Sequence, residues 1–229
     1  MPLKFLVPGV SLALAVALAP AVAVAAPKPK PPKPPTSAAA VSIAAKPTVI
    51  VFGGATVLSG RVNGAQAGVV IRLEQDNTRP YGDGYTATGA TATTANNGAY
   101  ALTVKPLLNT QYRVVAQASP PVTSAATLVR VRTLVGLSVS DATPRSGSLV
   151  RFSGTVLPAH DGRTVSIQRR SATGRFITVS RTTLRDAGDM RSTYSRRVRV
   201  SRDGVYRVKV TGDTDHINGF SRLRNVRVH

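Results

Sequence analysis

Laid against itself, the chain matches at one constant offset. Shifted by 94 residues, Ser59-Gly60-Arg61-Val62 falls on Ser153-Gly154-Thr155-Val156, Gly68 on Gly162, and Tyr112-Arg113-Val114 on Tyr206-Arg207-Val208. Without a gap, Ile71 and Leu73 meet Val165 and Ile167, Tyr100 meets Tyr194, and Val104 meets Val198. A further shift of three brings Ser124, Val129 and Val131 onto Ser221, Val226 and Val228. Two copies of one unit of about 90 residues account for this register, so whatever folds once must fold twice.

Inside each copy the hydrophobic period is two. In "RTVSIQRR", Val165 and Ile167 fall on one side and Ser166, Gln168 and Arg170 on the other. In "VYRVKVTG", Tyr206, Val208 and Val210 share a face opposite Arg207, Lys209 and Thr211. That alternation specifies strands with one buried and one wet face. Turn signals punctuate the strands at Asn63-Gly64, Gly82-Asp83-Gly84, Asn97-Gly98, Asp161-Gly162 and Asp203-Gly204. Short strands at such spacing predict an antiparallel sandwich. Outside the first 26 residues no helical period is sustained.

Asp203-Gly204-Val205-Tyr206-Arg207-Val208 resembles the tyrosine corner of immunoglobulin-like domains, in which an Asp-x-Gly-x-Tyr-x-Cys pattern sets a tyrosine at the start of strand F. Here Asp203 stands directly before Gly204, and Val208 replaces the cysteine. The "NNGAY" and "LTVKP" of the first copy are also similar to the carboxypeptidase-regulatory-like sandwich repeats of exported bacterial proteins. The resemblance covers residues 48–229. It implies an all-β fold of two tandem immunoglobulin-like sandwiches, with Tyr112 and Tyr206 as structural residues whose hydroxyls bond nearby backbone.

The N-terminus reads as an export signal. Residues 1–25 carry one early charge, Lys4, an apolar run, and the small-x-small pairs Ala21-Val22-Ala23 and Ala23-Val24-Ala25 that suit signal peptidase. Residues 26–47 form a Pro/Lys-rich stretch expected to be a disordered, semi-rigid tether, because clustered prolines donate no hydrogen bonds and favour polyproline II. The expected domains are then residues 48–133 and 134–229. The product is expected to be secreted, with no membrane span after processing and with association with the cell wall as the natural extension. The chain has no cysteine, which excludes disulfides, thiol catalysis and a lipoprotein anchor.

Charge is the feature that points to a partner. The chain carries 30 basic and 10 acidic residues, a net charge of +20. Residues 134–229 hold 18 basic side chains against 7 acidic ones, +11, whereas residues 48–133 hold 7 against 3, +4. On strands C, F and G of a sandwich, Arg170, Arg207, Lys209 and Arg227 would face outward, with Arg197 and Arg199 on strand E of the opposite sheet. Arginine pairs bidentately with phosphate and carboxylate, so this candidate anion-binding set suits an anionic cell-wall polymer or an acidic glycan. Specific nucleic-acid recognition is disfavoured, because stacking aromatics are missing among the cations.

Sites for chemistry are sparse. His160, His216 and His229 are the only histidines and show no local ligand spacing. Asp213-Thr214-Asp215-His216, and Asp76 with Asp83, offer oxygen atoms but follow no calcium-loop pattern, so they are read as polar turns. No nucleophile elbow or phosphate loop occurs. The expectation is no catalytic residue, no metal and no cofactor: a non-enzymatic binding and spacer module. The competing reading is an accessory or inhibitory subunit of a secreted enzyme, docking a protein partner through the threonine-rich edge at residues 86–94.

Overall fold

Each alternating stretch forms a strand, and the repeat gives two similar sets. The computed structural model describes residues 40–64 and 67–229; the export signal and residues 26–39 of the tether lie outside them. The first copy supplies β1 (Ala44–Lys46), β2 (Val49–Val51), β3 (Thr56–Arg61), β4 (Val70–Asp76), β5 (Thr86–Thr93), β6 (Ala99–Val104), β7 (Thr110–Ala116), β8 (Val122–Thr123) and β9 (Thr127–Arg132). The second supplies β10 (Leu134–Val135), β11 (Ser138–Val139), β12 (Ser148–Leu157), β13 (Thr164–Arg170), β14 (Phe176–Thr183), β15 (Arg185–Asp186), β16 (Ser192–Val200), β17 (Gly204–Val210), β18 (Gly219–Phe220) and β19 (Arg224–Val226).

In the first copy, sheet β1-β3-β6 stands opposite sheet β2-β9-β7-β4-β5, with β8 added to β7. In the second, β10-β12-β16-β15 with β11 stands opposite β14-β13-β17-β18 with β19. Both are immunoglobulin-like sandwiches, the fold expected of the strand pattern. Each closes over its own core. Leu58, Ile71, Leu73, Val114, Val129 and Val131 are fully enclosed in one, and Phe152, Val156, Val165, Ile167 and Val208 in the other. No helix among the described residues is long and apolar enough to cross a membrane.

The first sandwich begins earlier than the tether boundary at residue 47 implies. β1 pairs with β3, matching Ala44 to Ser59, and Val41 is buried and bridges Val62. The reason is the repeat itself: Val41 and Val62 stand 94 residues before Val135 and Val156, which pair in the same way. Val41 and β1 therefore belong to the sandwich as its opening edge.

The tyrosine that closes each sandwich also differs from expectation. Tyr112 and Tyr206 are buried, but as core residues; the Tyr206 ring packs 5.2 Å from Phe152. The hydroxyl-to-backbone bond is made by the other repeated pair. Tyr100 donates to the Ser42 carbonyl at 2.5 Å, and Tyr194 donates to the Gly136 carbonyl at 2.7 Å. Both bonds pass over a glycine, Gly60 or Gly154, where an added Cβ would collide with the accepting carbonyl and sit 2.6 or 2.9 Å from the hydroxyl. The repeated Ser-Gly thus clears a path for the tyrosine to hold the first strand against the sheet.

Two outcomes follow for stability. Tyr194→Phe is expected to cost about 1 kcal/mol in urea unfolding, the net worth of one hydrogen bond, whereas Tyr206→Phe should be nearly neutral. Burial pushes the Tyr100 hydroxyl up to about 12 and raises that of Tyr194 as well. A folded-state value above the unfolded one, near 10, means full stability below that pH and loss as pH rises through 12. Unfolding midpoints should therefore be flat up to about pH 10 and fall above it, measured by denaturant titration across that range.

Candidate functional site: the junction loop and the basic faces

The two copies differ most in one loop. Between β7 and β8 the first copy has residues 117–121, but between β17 and β18 the second has residues 211–218, three more. The insertion carries Asp213-Thr214-Asp215-His216 and turns onto the first sandwich. The Asp215 carbonyl accepts the Asn109 N–H at 2.7 Å, and the Thr214 carbonyl accepts from Asn109 Nδ2 at 3.1 Å. Asn109 Oδ1 accepts the Val131 N–H at 2.9 Å, and the Ile217 N–H donates to the Val131 carbonyl at 2.9 Å. Asn109 is buried and uses both ends of its amide, one inside its own sandwich and one across the junction.

Around this loop three chemically active side chains converge. His160 comes from the β12–β13 loop, which lies at the same end of a sandwich as the β17–β18 loop. Its Nδ1 donates to the Pro158 carbonyl at 2.8 Å, and its Nε2 lies 3.1 Å from Asp213 Oδ2. His216 donates from Nε2 to the Leu107 carbonyl of the first sandwich at 2.8 Å, and its Nδ1 lies 3.5 Å from Asp213 Oδ1. The two rings meet edge to face with centroids 4.9 Å apart. Both imidazoles are enclosed, at 2% and 9% side-chain exposure, while Asp213 keeps 22%. Burial alone would raise the Asp213 carboxyl, but N–H bonds from His216 and Asp215 and the adjacent imidazoles outweigh it and hold it below its ordinary value.

Sequence reading treated these three as separate polar loop residues. The histidines are far apart in the chain and show no local spacing, so only the topology brings them together. The available signal was the three-residue shift in register, which marks an insertion that the first copy lacks.

Asp76, the other candidate oxygen ligand, is spent on its own loop. Its carboxylate accepts backbone N–H groups from Thr78, Gly82 and Gly84, and these bonds, led by Gly82, lower its pKa. It organises a turn.

The expected anion-binding set separates into different environments. Arg207 is sandwiched between Phe176, 3.8 Å from the ring centroid, and Phe220, at 4.5 Å, and donates from Nε to Gln168 Oε1 at 2.9 Å. Burial lowers its pKa, and the stack is continued by Arg132 of the first sandwich, 5.6 Å from Phe220. Lys209 is half-buried opposite Phe220, Arg170 lies at the exposed end of β13 with its Nε on the Gly174 carbonyl, and Arg227 lies beyond β19. These four do not make one flat cationic array, because aromatic packing takes Arg207 out of it. The open arginines are on the other sheet. Arg197 and Arg199 of β16 are exposed, and Arg197 stands directly across from Arg151 of β12.

The first copy shows the Arg207 arrangement with its charge cancelled. Arg113 covers the Tyr85 ring at 3.9 Å and pairs with Glu74 at 2.6 Å, in the positions of Arg207, Phe176 and Gln168. Glutamate against glutamine at that position is one physical source of the charge difference between the copies.

No family model and no curated protein matches the chain. Among solved structures it is similar to a tetra-tandem repeat in the extending region of a large adhesion protein, at 17% identity and TM-score 0.35, over 82% of this chain and 49% of that one. It is similar to red sea bream transglutaminase at 12% identity and TM-score 0.40, over 83% and 31%. Bovine butyrophilin is similar at 9% identity and TM-score 0.40, over 83% and 99%. The chain spans about half of the first of these and less than a third of the second.

The junction bonds give a direct expectation. Asn109→Ala should leave the buried Val131 N–H unpaired and remove the bond to Thr214, lowering stability by about 2 to 3 kcal/mol. Thr103→Ala, on β6 and away from these bonds, serves as the control in the same thermal melts.

Proposed function

We propose that this chain is an exported, non-enzymatic tandem repeat of the bacterial immunoglobulin-like class, in which the second sandwich binds anionic polymers of the cell envelope and the first acts as a spacer. The observation that carries the reading is the un-neutralised arginine of the second copy. Among the described residues its only arginine–carboxylate pair is the exposed Arg191–Asp189, at 3.7 Å. The Arg151–Arg197 cross-strand pair sets like charges opposite one another, an arrangement that costs stability unless an anion bridges them. A wall phosphate or glycan carboxylate does so with bidentate geometry. The tether and signal, by composition, would release the module outside the cytoplasm, against the wall.

Salt dependence tests this. The second sandwich's binding to inorganic polyphosphate is expected to weaken with a log-log salt slope of about −3, as about four phosphate contacts release their counterions. Reversing Arg151, Arg197 and Arg199 to Glu should nearly abolish the slope. Reversing the exposed Arg163, Arg175 and Arg185, which lie in other places, should lower it only in step with net charge. Equal losses from the two triple variants would overturn the patch and leave a basic spacer.

A second reading rests on β5, which ends its sheet and leaves one edge unpaired. Such an edge accepts a strand from a protein partner. In that case pull-down from culture medium recovers one stoichiometric protein, and purified wall washed with salt retains nothing specific.

A further inference from the structure

We propose that His160 Nε2, His216 Nδ1 and an Asp213 carboxylate oxygen form a binding site for a divalent transition metal of the zinc class, placed where the two sandwiches meet. Pro158 and Leu107 each present a carbonyl to one imidazole nitrogen, at 2.8 Å in both cases. A carbonyl only accepts, so His160 carries its proton on Nδ1 and His216 on Nε2. In the neutral rings the opposite nitrogens are lone pairs, and they lie 3.1 and 3.5 Å from the Asp213 carboxylate.

Those two nitrogens are buried and make no hydrogen bond, although the carboxylate lies 3.1 and 3.5 Å away. In the neutral rings two lone pairs beside a carboxylate repel one another unless something positive, a bound ion or a second ring proton, lies among them. The ligand atoms all fall within 4.8 Å of each other. Tetrahedral zinc, with bonds of about 2.0 to 2.2 Å, sets its ligand atoms about 3.3 Å apart, so the cluster closes on an ion by drawing its widest pair in by at most about 1.5 Å. Histidines whose second nitrogen is fixed by a backbone carbonyl are the usual outer support of zinc ligands. Two imidazoles and one carboxylate favour zinc-class ions over calcium, which takes six to eight oxygens. The partial exposure of Asp213 provides a way in and leaves a fourth position for water.

The site also has a mechanical consequence. All three ligands belong to the second sandwich, but the His216 proton is held by the first. A bound ion that fixes the His216 ring therefore fixes the junction loop against Leu107.

The test uses the untagged exported protein, stripped with chelator and titrated with zinc by calorimetry, with cobalt absorption as a second readout. The expected result is one zinc per chain, a tetrahedral cobalt spectrum, and a rise in unfolding temperature with free zinc. Asp213→Asn keeps the oxygen that accepts the loop N–H bonds and removes the charge; His160→Gln removes one nitrogen ligand. Each should weaken zinc binding by at least about 100-fold, more than is typical of losing an outer support. His229→Gln, the remaining histidine, should bind like the parent. Absence of stoichiometric zinc binding, or equal affinity in the parent, Asp213→Asn and His160→Gln, overturns the proposal and leaves a protonated imidazole–carboxylate cluster.

Discussion

Thr133 is the only residue between the last strand of the first sandwich and the first strand of the second, and it is buried. A linker of one residue provides no slack. The backbone runs on from β9 into β10, so the facing ends of the sandwiches must satisfy each other's polar groups or leave them stranded. The β17–β18 loop meets those of Asn109, Val131 and Leu107, while the buried Thr133 hydroxyl makes no hydrogen bond. Gly219 is the residue beneath Thr133, where an added Cβ would collide with the threonine hydroxyl. Arg132 bridges Ile217 and Val135 bridges Ser221 in parallel, continuing the ladder across the junction. The three inserted residues, the double use of Asn109 and the meeting of His160 with His216 all follow from that short connection.

The repeat reuses a common frame and varies what the frame presents. The Tyr–Gly–carbonyl latch occurs at Tyr100 and Tyr194, and the strand bulge between Arg72 and Glu74 recurs between Ile167 and Gln168. Ser124 and Ser221 each accept a neighbouring strand's N–H, from Val114 and Val208 respectively. The variation lies outside the cores. Glu74 neutralises Arg113, while Gln168 leaves Arg207 charged, so the second sandwich keeps a cation–aromatic stack that leads towards the first through Arg132. Function on such a scaffold belongs to these grafted positions, not to the fold.

Much of the fold was legible because its signal is periodic. Val165 and Ile167, or Tyr206, Val208 and Val210, declare their face by alternation, and the constant offset exposes the second copy. The opening strand was hidden because Ala40, Ser42 and Ala44 resemble the tether before them, although Val41 lies in register with Val135. Which tyrosine closes the sandwich was not legible, because parity reports burial and not where a hydroxyl points. Alternation puts Arg207 opposite the core face, yet its two phenyl neighbours come from other strands, and only register puts them together. The histidine cluster was hidden for the same reason.

The bonds from the β17–β18 loop to Asn109, Val131 and Leu107 imply that the two sandwiches tumble together. Backbone amide relaxation, with residual dipolar couplings fitted separately for residues 41–131 and 135–229, tests it most directly. The account predicts one shared alignment tensor and one rotational correlation time. Two tensors of different magnitude or orientation, with nanosecond motion at Thr133, would contradict it.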